Sequence, residues 1–257
     1  MKLIPIAVIL ALTVEGTQAS LAATMSFGAS RDNTIFDESE NSNGQGGDFG
    51  AGVVNRDRIR RGLLHFDLNA LPTTAQIIDV TLRLHLVEVS GGDTVARDIL
   101  VHRLNANWGE ASSGPGSGGG GGGTGGPATT GDATWNHTFF DTAFWTTPGG
   151  DFAPVASAMT SVETALAYYE WTGPGLIAEV QAWIDGAEPN FGWLIRSNES
   201  AQGGRRFDSL QSSTADFRPL LTVEFTQVPE PATATLVVAA IAAVAASFGR
   251  CRKFRIR

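Results

Sequence analysis

The chain has 257 residues, 42% of them hydrophobic, and a formal net charge of −8. That length holds one large β domain or two small ones and buries a core without cross-links. The acidic balance argues against nucleic acid or an anionic membrane surface as a partner, and the lone cysteine, Cys251, excludes an internal disulfide framework.

Met1-Lys2, the apolar run from Leu3 to Val14 and the small residues after it read as a secretory signal peptide over residues 1–23. The run is too short to span a bilayer as a mature helix. Cleavage fits after Ala19 or near Ala23. Residues 24–227 read as one β domain. Asp32 to Asp37 is its first strand. Glu38 to Gly52 is polar and glycine-rich, hence loop. The stretch from Arg61 to Leu86 organises the rest. Leu64, Phe66 and Leu68 alternate with His65 and Asp67; Leu82, Leu84 and Leu86 alternate with Arg83 and His85. Period-two alternation marks a pair of strands, each with one wet face.

Asp98 to Leu104 adds a strand. Residues 112–131 are low-complexity Gly, Ser, Pro and Thr, a flexible excursion. With no Lys and no helical pattern after it, this is no phosphate loop. Thr134 to Asn136 and Tyr168 to Thr172 read as strand. One helix follows: Thr172 or Gly173 caps it, Pro174 suits its first turn and Gly186 ends it. Leu176, Val180, Trp183 and Ile184 share its apolar face, which makes Trp183 core. Phe191 to Arg196, Arg205 to Asp208 and Pro219 to Phe225 close the domain. Many short strands with turn signals around one brief helix predict an all-β, jelly-roll-like antiparallel sandwich.

Residues 228–257 form a separate tail. Val228-Pro229-Glu230-Pro231 precedes an apolar run from Ala232 to Phe248 and a cationic end. The run is just long enough to cross a bilayer. The cations after it belong on the cytoplasmic side, which puts the domain outside the cell.

Several constellations bear on chemistry. Asp32, Asp37, Glu38 and Asp48, with Asn41 and Asn43, make an oxygen-rich stretch that suits a structural Ca²⁺, in an order unlike an EF-hand loop. Trp108 and Trp145 lie beside loops and are candidate platforms for sugar rings. Arg56 and Arg58 are candidates to grip carboxylates of an acidic polysaccharide; the alternative is charge that blunts a strand edge. His65 and His85 read as solvated strand residues, and Gly149-Gly150-Asp151-Phe152 as a turn. No serine stands in a nucleophile elbow, and no spacing selects a carboxylate pair from Asp141, Asp151, Glu163 and Glu170. The chain therefore reads as non-catalytic.

The run Arg61-x-Leu-Leu-x-Phe-Asp-Leu-x-x-Leu-Pro72 with Leu82-Arg-Leu84, Val101-His-Arg-Leu104 with Trp108-x-Glu110, Thr134-Trp-Asn136, Val180-Gln-Ala-Trp183, Phe191-Gly-Trp-Leu194 and Pro219-x-Leu-Thr-Val223 resembles the DNRLRE family of extracellular domains. The resemblance runs from about Asp32 to Phe225. It departs where the glycine-rich insert separates Trp108-x-Glu110 from Thr134-Trp-Asn136, and where Trp171-Thr172 approaches the helix. It implies a jelly-roll-like sandwich, in some members carbohydrate-binding. Residues 228–257 resemble a PEP-CTERM sorting signal. That likeness implies a bacterial exosortase-type protease cutting near Pro229 to Pro231, with the tail helix in the membrane before processing. The expected function is an exported surface or matrix protein that binds carbohydrate. The alternatives are a purely structural surface protein and an orphan polysaccharide lyase or hydrolase. Trp and Arg clustered at the surface would favour binding, wholly buried Trp the structural role, and facing carboxylates or a His-Arg-Tyr group in a cleft the enzyme.

Overall fold

A computed structural model describes residues 22–115 and 123–227, all in one unit, Ala22–Gln227. Most of the expected signal peptide, the middle of the glycine-rich insert and the whole tail, with Val228, Pro229, Glu230 and Pro231, lie outside the described residues. In chain order the elements are β1 (Ala22–Phe36), β2 (Asn41–Ser42), β3 (Asp48–Val54), β4 (Arg58–Phe66), β5 (Ala75–Val89), β6 (Arg97–Arg103), β7 (Gly126–Pro127), β8 (His137–Phe139) and β9 (Ala143–Phe144). They continue as β10 (Ala158–Val162), β11 (Tyr168–Thr172), α1 (Pro174–Ile184), β12 (Trp193–Ser197), β13 (Arg205–Asp208) and β14 (Leu220–Gln227). Among the described residues no helix is long and apolar enough to cross a membrane.

The architecture is an antiparallel all-β sandwich with one helix. In the first sheet β14 lies between the first half of β1 and β5, and β5 also pairs with β11. Past an irregularity between Ala29 and Arg31, β1 crosses into the second sheet and pairs with β4. There β4 pairs with β12, β12 with β6 and β6 with β10. β13 bridges the end of β5 to β3, and β3 pairs with the start of β4. The two sheets are thus continuous through both β1 and β13.

The main core lies between the sheets. It joins Leu64, Phe66, Trp193 and Ile195 to Leu82, Leu84, Leu86 and Trp171, with Leu176, Val180 and Trp183 of α1. A second core joins Ile35, Leu63 and Leu194 to Leu104, Trp108, Ala133 and Trp145. Adjacent strand residues point to opposite faces. Leu63 and Leu64 therefore put β4 between two cores, and the segment after β6 folds back over the outer face of its sheet.

The helix and the strands at Tyr168–Thr172 and Arg205–Asp208 match expectation. Four expectations need correction. β4 and β5 are not partners; they belong to opposite sheets and face each other across the core. β4 has no wet face at Leu63–Leu64, both of which are fully buried. The supposed loop from Glu38 to Gly52 contains β2 and most of β3. Phe49 of β3 lies over Gly62, where an added Cβ would stand 2.6 Å from its ring. Glycine there makes room for a strand that composition alone hides. Finally, the insert is ordered at both ends: β7 pairs with β2, and Asp132 accepts hydrogen bonds from the Ala111 and Thr129 amides at 2.6 and 2.8 Å, closing its neck.

Candidate ligand-binding site

The tryptophans come first because the sugar-stacking expectation rested on them. Trp108 is fully buried, its indole N–H donating to the Phe191 carbonyl at 2.9 Å, with the Arg31 guanidinium over its ring. Trp145 is 5% exposed and donates to the Thr134 carbonyl at 2.9 Å. Both are centrepieces of the second core, and neither offers a free ring face to a sugar. Trp171 and Trp193 are buried as well, while Trp135 is half-buried under Arg61.

The expected calcium ligands are dispersed. Arg60 is almost wholly buried, stacks over Phe36 and binds both Glu38 oxygens at 2.6 Å; its guanidinium is also 3.9 Å from Asp37. Burial opposes ionisation of Glu38, yet the Arg60 hydrogen bonds hold its carboxyl below the ordinary value. Burial and the Glu38 charge push Asp37 up. Asp48 is held by Arg206. A guanidinium on a carboxylate occupies the lone pairs a cation would need. Asp32 lies apart from these pairs, fully buried, and burial pushes its carboxyl well above the ordinary range. Among the described residues no group of three or more His, Cys, Asp or Glu is placed to hold a metal.

Arg58 lines a cleft of about 270 Å³ together with Arg60, Arg205 and Arg206. Each has a carboxylate opposite. Arg205 reaches Asp93 at 3.0 Å, Arg206 reaches Asp48 and Glu88, and Arg58 stands a loose 3.7 Å from Glu38. Arg56 is exposed on the turn beside this cleft and makes no ion pair among the described residues. It and Asp57 hold positive φ angles of 63° and 57°, a conformation unfavourable to residues with a Cβ. The two expected arginines thus lie close in sequence, but only Arg58 faces the cleft.

A larger cleft, about 590 Å³, opens where the β1 irregularity, the β4–β5 turn and the end of α1 meet. Trp183 and Leu71 form its apolar floor, and the exposed Asp67 and Asn69 stand at its rim. Asp67 Oδ1 accepts the Asn69 amide at 3.0 Å, which sets the turn. His65 lies in the wall, its Nδ1 2.6 Å from Ser30 Oγ. Burial and the nearby Arg31 charge push its imidazole down to about 4, so it is neutral at neutral pH. Sequence reading places Asp67 on the wet face of a strand and misses the cleft, because Ser30, Asn69 and Asn190 converge only in the fold.

A His-Arg-Tyr group does exist: Arg83 stacks over Tyr168, and His85 is 2.8 Å from Asp208. Phe217 stacks on His85 with ring centroids 3.8 Å apart. The imidazole is covered, and neither cleft includes any of the three. The Gly149–Phe152 motif is a turn, in which Asp151 accepts the Thr146 and Thr147 amides. No protein-family model matches this sequence, and no curated protein matches it.

Proposed function

We propose that this chain is an exported, non-catalytic sandwich of a bacterial surface or matrix, and that it holds polysaccharide in the cleft above Trp183. One observation carries the binding reading. That cleft joins an apolar floor to exposed, hydrogen-bonding Asp67 and Asn69 side chains. An apolar surface edged by a few polar groups matches the two faces of a pyranose ring. Arg56 and Arg58 extend the reading to acidic sugars, since neither is tightly paired. Export rests on the leader-like sequence of residues 1–23, the apolar run of the tail and the likeness of the tail to an exosortase substrate. The likeness to DNRLRE domains supports a jelly-roll order of strands and a carbohydrate ligand.

The structural alternative is favoured by a specific finding, the burial of Trp108, Trp145, Trp171 and Trp193, with Trp183 itself only 8% exposed. One experiment separates the two readings: affinity electrophoresis of the full chain in mild detergent against neutral and acidic polysaccharides. Retardation by one polymer, abolished by Asp67→Ala with Asn69→Ala, is the expected outcome. Retardation abolished by Arg56→Ala with Arg58→Ala instead would move the site to the arginine cleft. A folded protein that no polymer retards would leave the structural role.

A further inference from the structure

Three buried acceptor oxygens lack any hydrogen-bond donor among the described residues: Asp32 Oδ1, Asn43 Oδ1 and Gln211 Oε1. Asp32 and Asn43 are each 0% exposed. All three oxygens belong to one neighbourhood. The Asp32 amide and the Gln211 side-chain amide both donate to the Glu110 carboxylate, at 2.9 and 2.7 Å. The Leu210 amide, beside Gln211, donates to Asp32 Oδ2 at 2.5 Å. Asn43 opens the turn that Gly46 closes onto it at 3.0 Å, and Ser209 binds the Gly46 and Gly47 carbonyls of that turn. Gly44 lies against Glu110, where an added Cβ would stand 2.8 Å from the Glu110 side chain. β1, the 43–48 turn, Glu110 and residues 209–211 therefore close on one another.

Buried oxygens almost always find a donor, and a buried carboxylate without a cation is costly. Here orphan acceptors gather around two carboxylates, and neither Asp32 nor Glu110 forms an ion pair among the described residues. Arg31 is the cation that acts on Glu110, yet its guanidinium is engaged by the Trp108 carbonyl and the Asn107 side chain. A proton on Asp32 would satisfy one orphan oxygen; a cation shared among the three would satisfy all of them. We infer that Asp32, Asn43, Glu110 and Gln211 hold a calcium-class divalent cation through their side-chain oxygens. Mixed carboxylate and amide oxygens in an irregular shell suit Ca²⁺, whereas Mg²⁺ demands a near-octahedral shell and retains waters. The absence of His and Cys from this group of four argues against zinc. Asp32 and Asn43 are shared with the oxygen-rich stretch expected from the sequence; Arg60 holds Glu38, Arg206 holds Asp48, and Asp37 accepts the Ile59 amide.

The site stands independently of the polysaccharide reading, and its test reads metal alone. The full chain, in detergent and stripped with a chelator, is titrated with CaCl₂ by calorimetry and melted with and without the ion. The expected result is one equivalent bound and a melting temperature raised by about 5 °C or more at ~100 times the dissociation constant. MgCl₂ should give a much smaller rise. Asp32→Asn and Glu110→Gln should weaken binding at least about tenfold, one lost ligand being worth ~1.4 kcal/mol or more. Glu38→Gln should leave it unchanged. If either carboxylate variant fails to fold, Gln211→Ala, at a half-buried position, should still bind more weakly. A folded wild-type chain that binds no Ca²⁺ at millimolar concentration overturns the inference. So does binding that both Glu110→Gln and Gln211→Ala leave intact.

Discussion

Trp108 has no exposed surface and its indole N–H is committed to the Phe191 carbonyl. Its truncation therefore acts on stability. Trp108→Ala should lower the unfolding free energy by about 3–5 kcal/mol, read as a shift of the urea midpoint. Any loss of polysaccharide retention in that variant would report unfolding, not a lost contact. His65 makes a prediction of opposite character. Its folded value of about 4 lies below the ordinary 6.5, so the fold binds the neutral ring and disfavours the proton. The stability it contributes is complete above pH 6.5 and is lost as pH falls toward 4. His65→Gln should flatten that part of the stability–pH curve, measured by denaturation at stepped pH; an identical slope in both proteins would refute it. Neither residue's surroundings were legible in the sequence. Alternation reports the face of a strand, but Trp108 and Trp145 sit in segments without periodicity, and only the return of those segments over Leu63 and Leu194 buries them.

Among the elements, α1 was legible because its signals are local: Pro174 in the first turn, Gly186 just past the end with a φ of 68°, and an apolar face with the helical period. The partners of β4 and β5 were not, since pairing joins residues far apart and the two strands carry the same alternation whether they lie side by side or face to face. β1 shows what composition conceals. It begins at Ala22, inside a stretch that reads as leader, and Ala22 and Ala23 pair with Thr226 and Phe225. Cleavage after Ala23 would strip these two residues from the sheet, whereas cleavage after Ala19 keeps the whole strand. Mass spectrometry of the exported protein should find Ser20 at its N-terminus; Thr24 there would show that the first rungs are dispensable.

In the whole molecule, the architecture was legible as a class and the clefts were not. Strands, turns and one helix announce a sandwich. A cleft assembled from Ser30, Asn69 and Asn190 requires the crossover of β1 between sheets, which no local pattern encodes. The position of β14 also has a mechanical side. It is hydrogen-bonded along both edges, to β1 and to β5, and its last residue, Gln227, is the last of the domain described. Suppose the protein is tethered beyond Gln227 while a polymer drags on its body. The pull then runs along β14, and both ladders are loaded in shear, their rungs sharing the force rather than parting one after another. The other end of the domain, at Ala22, bears no tension in that arrangement. Such a domain fails by sliding a strand out between two neighbours, the most force-resistant way an antiparallel sheet can come apart.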